Sequence, residues 1–337
     1  MGTQEAFTRL NKITHVGEST LTSKIQDNLI EFFDWGLISA GGFFNITIPI
    51  SGLYGGDRYK LRLVDDPYHT SGQVWEGFRS NWIWQSGLAN TDQPKVLTKL
   101  GTTGYLNKSA PGISGVFVGN VFQPTSGVGS YKHYVDYPKG RVVFEDAIDT
   151  TSEVKAEFSY KWINVTRADN EFFREVQYRS QRADGDFTFT GSGNYTQLSQ
   201  TRLQLPVLAV EMVGRSSEPY ALGGTTHLVS TDVLFHVLAE ESHTRDKIVD
   251  IVSAQEDKVL YMIDVDDVGK EEDFPLDYRG TTNQGAKRYP DLVNTRRWYG
   301  YRDERKMRLT NAVTQNPEEI SPNLYHGTVR LKVEVIQ

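Results

Sequence analysis

Residues 154–165 alternate with period two: Val154, Ala156, Phe158, Tyr160 and Trp162 fall on one side, Lys155, Glu157, Ser159 and Lys161 on the other. Successive side chains of a β-strand project to opposite faces, whereas a helix repeats every ~3.6 residues, so this run reads as a half-buried antiparallel strand. The pattern returns near the end of the chain, where Val329, Leu331, Val333 and Val335 alternate with Arg330, Lys332 and Glu334. That strand either completes its own sheet or adds to a neighbour's edge. Residues 114–166 as a whole read as a compact all-β unit, with strands at 115–121, 131–137, 141–144 and 154–165 and a turn at Pro138-Lys139-Gly140. A chain with 17 Tyr, 16 Phe and 30 Gly suits short strands and tight turns better than a helix bundle.

Helical spacing marks two other segments. Leu21, Ile25, Leu29, Phe32 and Phe33 form one apolar stripe of a helix over 19–36, with Ser19 or Thr20 as cap and Gly36 or Gly41-Gly42 at its end. Strand-like pieces follow at 43–50 and 59–64. Further on, apolar strands at 205–213 and 229–239 flank a turn at 219–224. A helix capped by Thr244 comes next, with Ile248, Ile251, Val252 and Gln255 inward, and then a strand at 258–265. The predicted fold is therefore α+β: a mixed or antiparallel sheet with flanking helices, plus an inserted all-β module. The expected organisation is an N-terminal arm over 1–18, a core from 19–113 and 167–268, the module at 114–166, and a C-terminal arm over 269–337 that ends in a strand. The charged stretch 269–327 is long enough to belong to a partner contact.

Composition removes several function classes. Asp+Glu number 43 against 36 Lys+Arg, a net charge of −7, which disfavours sequence-specific or general nucleic-acid binding. There is no cysteine, hence no disulfide scaffold, thiol catalysis or Cys-ligated zinc. The N-terminal residues show no signal-peptide pattern, and no apolar run reaches the ~18 residues of a membrane span. Asn-x-Ser/Thr sequons at Asn45, Asn107, Asn164 and Asn194 read as chance matches.

The chain has no GxSxG elbow, no Walker A loop and no HExxH, so a non-enzymatic role without a cofactor is expected. His236, between Leu234 and Leu238, reads as a core or interface histidine. The acidic run Asp264, Asp266, Asp267, Glu271, Glu272 and Asp273 lacks the spacing of a calcium loop and reads as a solvated face. It could meet the one dense basic segment, Arg296, Arg297, Arg302, Arg305, Lys306 and Arg308, on a neighbouring copy, where opposite charges fix register. Trp75, Trp82 and Trp84 could stack on sugars, as a glycan platform. The spacing of Trp75, Phe78 and Trp82 instead suits the buried face of a helix, and core or interface is the expected place.

Taken together, the N-terminal helix, "LPVLAVEMV" (205–213), "YALGG" (220–224) and "TDVLFHVLAEESHTRDKIVDIVSAQ" (231–255) resemble tail-terminator or neck proteins of tailed bacteriophages. "VDYPKGRVVFEDAIDTTSEVKAEFSYKWINV" (135–165) is similar to β modules of phage tail, collar and fibre proteins. The resemblance implies a ring, a hexamer, that ends the tail tube and joins tail to head. It further implies contacts with tube or sheath, head–tail connector, collar or fibre, and a place in the virion after assembly in the host cytoplasm. The chain is much longer than the small terminators. A receptor-binding or fibre- or baseplate-associated glycan contact is the alternative.

Overall fold

The computed structural model describes residues 21–48, 57–85, 112–169, 204–221, 226–264, 268, 270–283, 285–298, 306–321 and 324–336. The expected arm at 1–18 lies outside them, as do residues 86–111 and 170–203 of the expected core. In chain order the elements are α1 (Leu21–Ser39), β1 (Phe43–Ile46), β2 (Lys60–Leu63), β3 (Val74–Glu76), β4 (Gly115–Val118), β5 (Val121–Pro124), β6 (His133–Asp136), β7 (Arg141–Phe144), β8 (Val154–Lys155), β9 (Phe158–Lys161) and β10 (Asn164–Arg167). Then come β11 (Val207–Pro219), β12 (His227–Ala239), α2 (Ser242–Ser253), β13 (Val259–Tyr261), α3 (Tyr289–Trp298), β14 (Lys306–Ser321) and β15 (Leu324–Ile336). The fold is α+β and rich in strand.

The alternating run 154–165 keeps its sidedness through Tyr160, after which Ile163 rather than Trp162 is buried, and it does not keep one partner. β8 lies in a seven-stranded sheet of order β5-β4-β8-β2-β3-β7-β6, β9 pairs with β1, and β10 opens a six-stranded sheet of order β10-β11-β12-β15-β14-β13. One extended stretch thus ties three sheets together. Its polar side is covered as well: Ser159 Oγ donates to Asn45 Oδ1 at 2.6 Å, and Lys161 Nζ meets Asp34 at 2.7 Å.

Two boundaries shift. β2 and β3 belong to the seven-stranded sheet, so the β module takes in residues 60–76 and is no simple insertion at 114–166. The expected C-terminal arm is not peripheral either. β15 lies between β12 and β14, with Val329, Leu331, Val333 and Val335 in the main core, so the last strand completes its own sheet.

The segment before β14 is anchored on the module: Tyr137 N–H donates to Gly280 O (3.1 Å) and Thr281 Oγ1 to Val135 O (3.0 Å). Gly280 has φ +77°, and a Cβ there would fall 2.5 Å from Asp136 Oδ1. Gly280→Ala should therefore lower stability by about 1–3 kcal/mol in urea unfolding, the strain of a left-handed non-glycine residue added to a clash.

The main core lies between the six-stranded sheet and two helices. Leu21, Ile25, Leu29, Phe33 and Leu37 of α1 pack with Leu208, Val233, Phe235, Val329 and Val333, and Phe33 meets Phe235 edge-on at 5.2 Å. The sheet curls around α1. Gln26 donates to Val210 O on β11 (2.7 Å), and Asn28 exchanges bonds of 2.7 and 2.8 Å with Ile263, just past β13 on the sheet's other side. α1 runs through Gly36 and stops where Gly41 turns to φ +89°. α2 adds Ile248 and Val252 to the same core. It starts at Ser242 after Glu241, so the expected Thr244 cap is inside the first turn.

Candidate assembly surfaces

Two strands of the six-stranded sheet leave long edges without a strand partner among the described residues. β10 pairs with β11 over Val207–Val210 and β13 with β14 over Lys306–Arg308; past β13, Leu309 exchanges backbone bonds of 2.8 and 2.9 Å with Asp257 and Lys258, and the Ala312 N–H donates to Glu256 Oε1 at 3.3 Å. Beyond these, Val213–Pro219 of β11 is exposed on both faces, and so is most of 311–315 of β14. β11 and β14 run antiparallel, because each intervening pair in β11-β12-β15-β14 is antiparallel. Val210 stands on the same rung as Phe235, Val329 and Thr314, so Val213–Pro219 of β11 and 311–313 of β14 lie on the same side of that rung, at opposite edges of the sheet.

Neither edge is a plain template. β11 carries a bulge between Met212 and Gly214, and β14 shifts register three times and contains Pro317, which has no N–H to donate. Such features block indiscriminate strand addition while admitting a partner shaped to them. Val213 and Val313, 57% and 54% exposed, are the large apolar side chains on these stretches.

Around Asp232, Arg330 and Lys332 the face of this sheet away from α1 and α2 is polar. Arg330 Nη2 donates to Asp232 Oδ2 (2.6 Å), and Lys332 stands opposite Asp232. With Glu256, Asn311 and Val313 they line an open depression of about 410 Å3. Both signs of charge line it, which selects no ligand.

In the seven-stranded sheet Arg62, Glu76, Arg141 and Asp136 form one rung of alternating charge across β2, β3, β7 and β6. Arg141 Nε donates to Glu76 Oε2 (3.0 Å) and its Nη1 to Asp66 Oδ2 (3.2 Å). Burial pushes the Asp66 carboxyl up, but the Tyr68 N–H, His69 and Arg141 outweigh it and hold it below the usual range. Asp136 goes the other way: burial raises it despite Lys139 and Arg141. Each carboxylate on this rung has a basic partner, so it reads as a structural brace.

The tryptophans are placed otherwise than their spacing predicts. Val74–Glu76 is a strand and Trp82 bridges to Tyr160, so no helix spans them. Trp75 and Trp82 are buried, and Trp82 stacks on Phe158 at 4.3 Å, which leaves neither indole a face for sugar. Trp84 is half-buried at the edge of the same core.

The charged candidates are scattered. Arg302, Arg305, Asp266 and Asp267 fall outside the described residues. Arg296 and Arg297 lie on α3, and Glu271 and Glu272 on a short 3-10 turn, with Glu272 exposed. Their neighbours are engaged within the chain: Asp264 with Lys24 (2.6 Å), Asp273 with Lys287 (3.0 Å) and Arg308 with Asp257 (2.8 Å). Less charge is therefore left for a neighbouring copy than the sequence count implies. The free strand edges, which sequence reasoning missed, carry no signature beyond a Pro and charged residues within β-rich runs.

Among the described residues no group of three or more His, Asp or Glu could hold a metal ion, and no helix is long and apolar enough to cross a membrane. No family model, curated protein or solved structure matches this chain.

Proposed function

We propose that this chain is a structural subunit of a tailed-phage particle that joins copies of itself into a ring at the neck or tail end. The observation that carries this reading is the pair of edges that have no strand partner among the described residues. A cyclic array preserves strand direction, so β14 of one copy meets β11 of the next antiparallel, the sense the sheet already uses. The tail-terminator-like arrangement of β11, β12 and α2 belongs to this proposal, as do the contacts with tube, sheath, connector or collar.

The glycan reading loses its main support with Trp75 and Trp82 buried. Electron microscopy of particles carrying a tagged copy tests the location. Label at the head-proximal end of the tail is expected, and label confined to fibres would favour the receptor-binding reading instead.

Val213→Lys and Val313→Lys place a charge on each edge at sites already exposed. Thermal unfolding should stay within about 0.5 kcal/mol of the parent. Self-association, followed by sedimentation, should weaken at least about tenfold, or ~1.4 kcal/mol.

A further inference from the structure

Glu211, His236 and His326 form a hydrogen-bonded chain across β11, β12 and β15. His236 Nε2 lies 2.7 Å from Glu211 Oε2, and His236 Nδ1 lies 3.2 Å from His326 Nε2, with the two rings within 10° of parallel. An ionised Glu211 fixes the His236 proton on Nε2, which makes Nδ1 an acceptor. His326 must then carry its proton on Nε2, and its Nδ1 is the proton-free end.

The surroundings are mixed in sign. Glu211 comes from β11. Arg245 comes from α2, bonded to Asp246 (2.7 Å) and lying over the Tyr325 ring. Glu318 of β14 stands opposite His326 in register, and Arg330 follows on β15, paired with Asp232. Burial lowers His326 to about 4, and the charges of His236 and Arg245 push the same way.

We propose that these three side chains are a latch between β12 and β15 that counts protons: closed with none or one added, open with two. One added proton, on either ring, still leaves a single N–H between His236 Nδ1 and His326 Nε2, and the bond stays. With a second, both rings carry N–H on both nitrogens, N–H is set against N–H, and the rings must part. The rungs that part lie beside the small cluster of Leu205, Val207, Leu238 and Leu324, so acid loosens this end of the sheet. The latch stands apart from the assembly reading and holds whether or not copies form rings.

The sign follows from the lowered value. The unfolded chain takes up a proton at His326 near 6.5 and the folded chain only near 4, so stability is lost as pH falls through that window. His133, also buried and lowered, adds acid sensitivity of the same sign, so only a difference between variants reports the latch.

The test is NMR of the 15N-histidine-labelled full chain from about pH 7 to about pH 4, with urea unfolding of the parent and His326→Gln at both ends of the range. Expected are Nε2–H tautomers for both rings at neutral pH, a His326 midpoint near 4, and a smaller acid-induced fall of the urea midpoint in the variant. A His326 midpoint near 6.5, an Nδ1–H tautomer on His236, or equal falls in both proteins would overturn the latch. Should His326→Gln not fold, Glu211→Gln serves, since the Glu211 side chain is 48% exposed. His236 should then lose its fixed tautomer, and an unchanged tautomer would count against the chain of bonds.

Discussion

Arg141→Met should cost about 3–5 kcal/mol in urea unfolding. The guanidinium sits between Glu76 and Asp66, and the three side chains are only 7%, 9% and 10% exposed. Methionine fills much of the same volume, so the loss is not mainly one of packing. It comes from leaving two carboxylates in a poorly hydrated place with one cation fewer. Arg62 and His69 remain nearby and offset part of the penalty. An exposed pair in the same sheet is the control. Lys132→Met removes a bond of 2.8 Å to Glu145, both side chains being about half exposed, and should change stability by less than about 1 kcal/mol. Equal losses in the two variants would show that the rung does not brace the module.

Trp82→Ala should lower stability by about 3–5 kcal/mol, measured by chemical or thermal unfolding. Its indole is 1% exposed, stacks on Phe158 and supports Gly140, whose absent Cβ would lie 3.0 Å from Nε1. Removing it opens a cavity between β9 and the β6–β7 turn. A glycan-contacting tryptophan behaves differently: its loss abolishes binding and leaves the fold intact. A Trp82→Ala chain that unfolds like the parent would contradict the buried placement and restore the sugar-platform reading. Trp84→Ala, at a half-buried site, should cost distinctly less.

Where period and partner coincide, the fold was legible in the sequence. The stripe from Leu21 to Phe33 makes α1, and the alternation at 329–335 makes β15, because each element buries one continuous face. Alternation reports sidedness but not pairing, so 154–165 read as one strand although its backbone bonds go to three sheets. Helical spacing misled at Trp75, Phe78 and Trp82. A strand and a turn carry them into the same core, and burial alone does not reveal which backbone delivers a side chain. The stretch before β14 looked irregular because its order comes from distant bonds such as Tyr137 to Gly280, which no local pattern announces. The free edges were hidden for a related reason. Whether a strand has one neighbour or two depends on where β10 and β13 stop, a property of the whole sheet.

The claim that copies of this chain join through β11 and β14 is tested most directly by native mass measurement of the purified full-length protein at micromolar concentration. A closed assembly at a fixed multiple of the 38.1 kDa chain is expected, dissociating when Val213 or Val313 is replaced by lysine. A species of 38.1 kDa at every concentration, or an assembly indifferent to both substitutions, would contradict it.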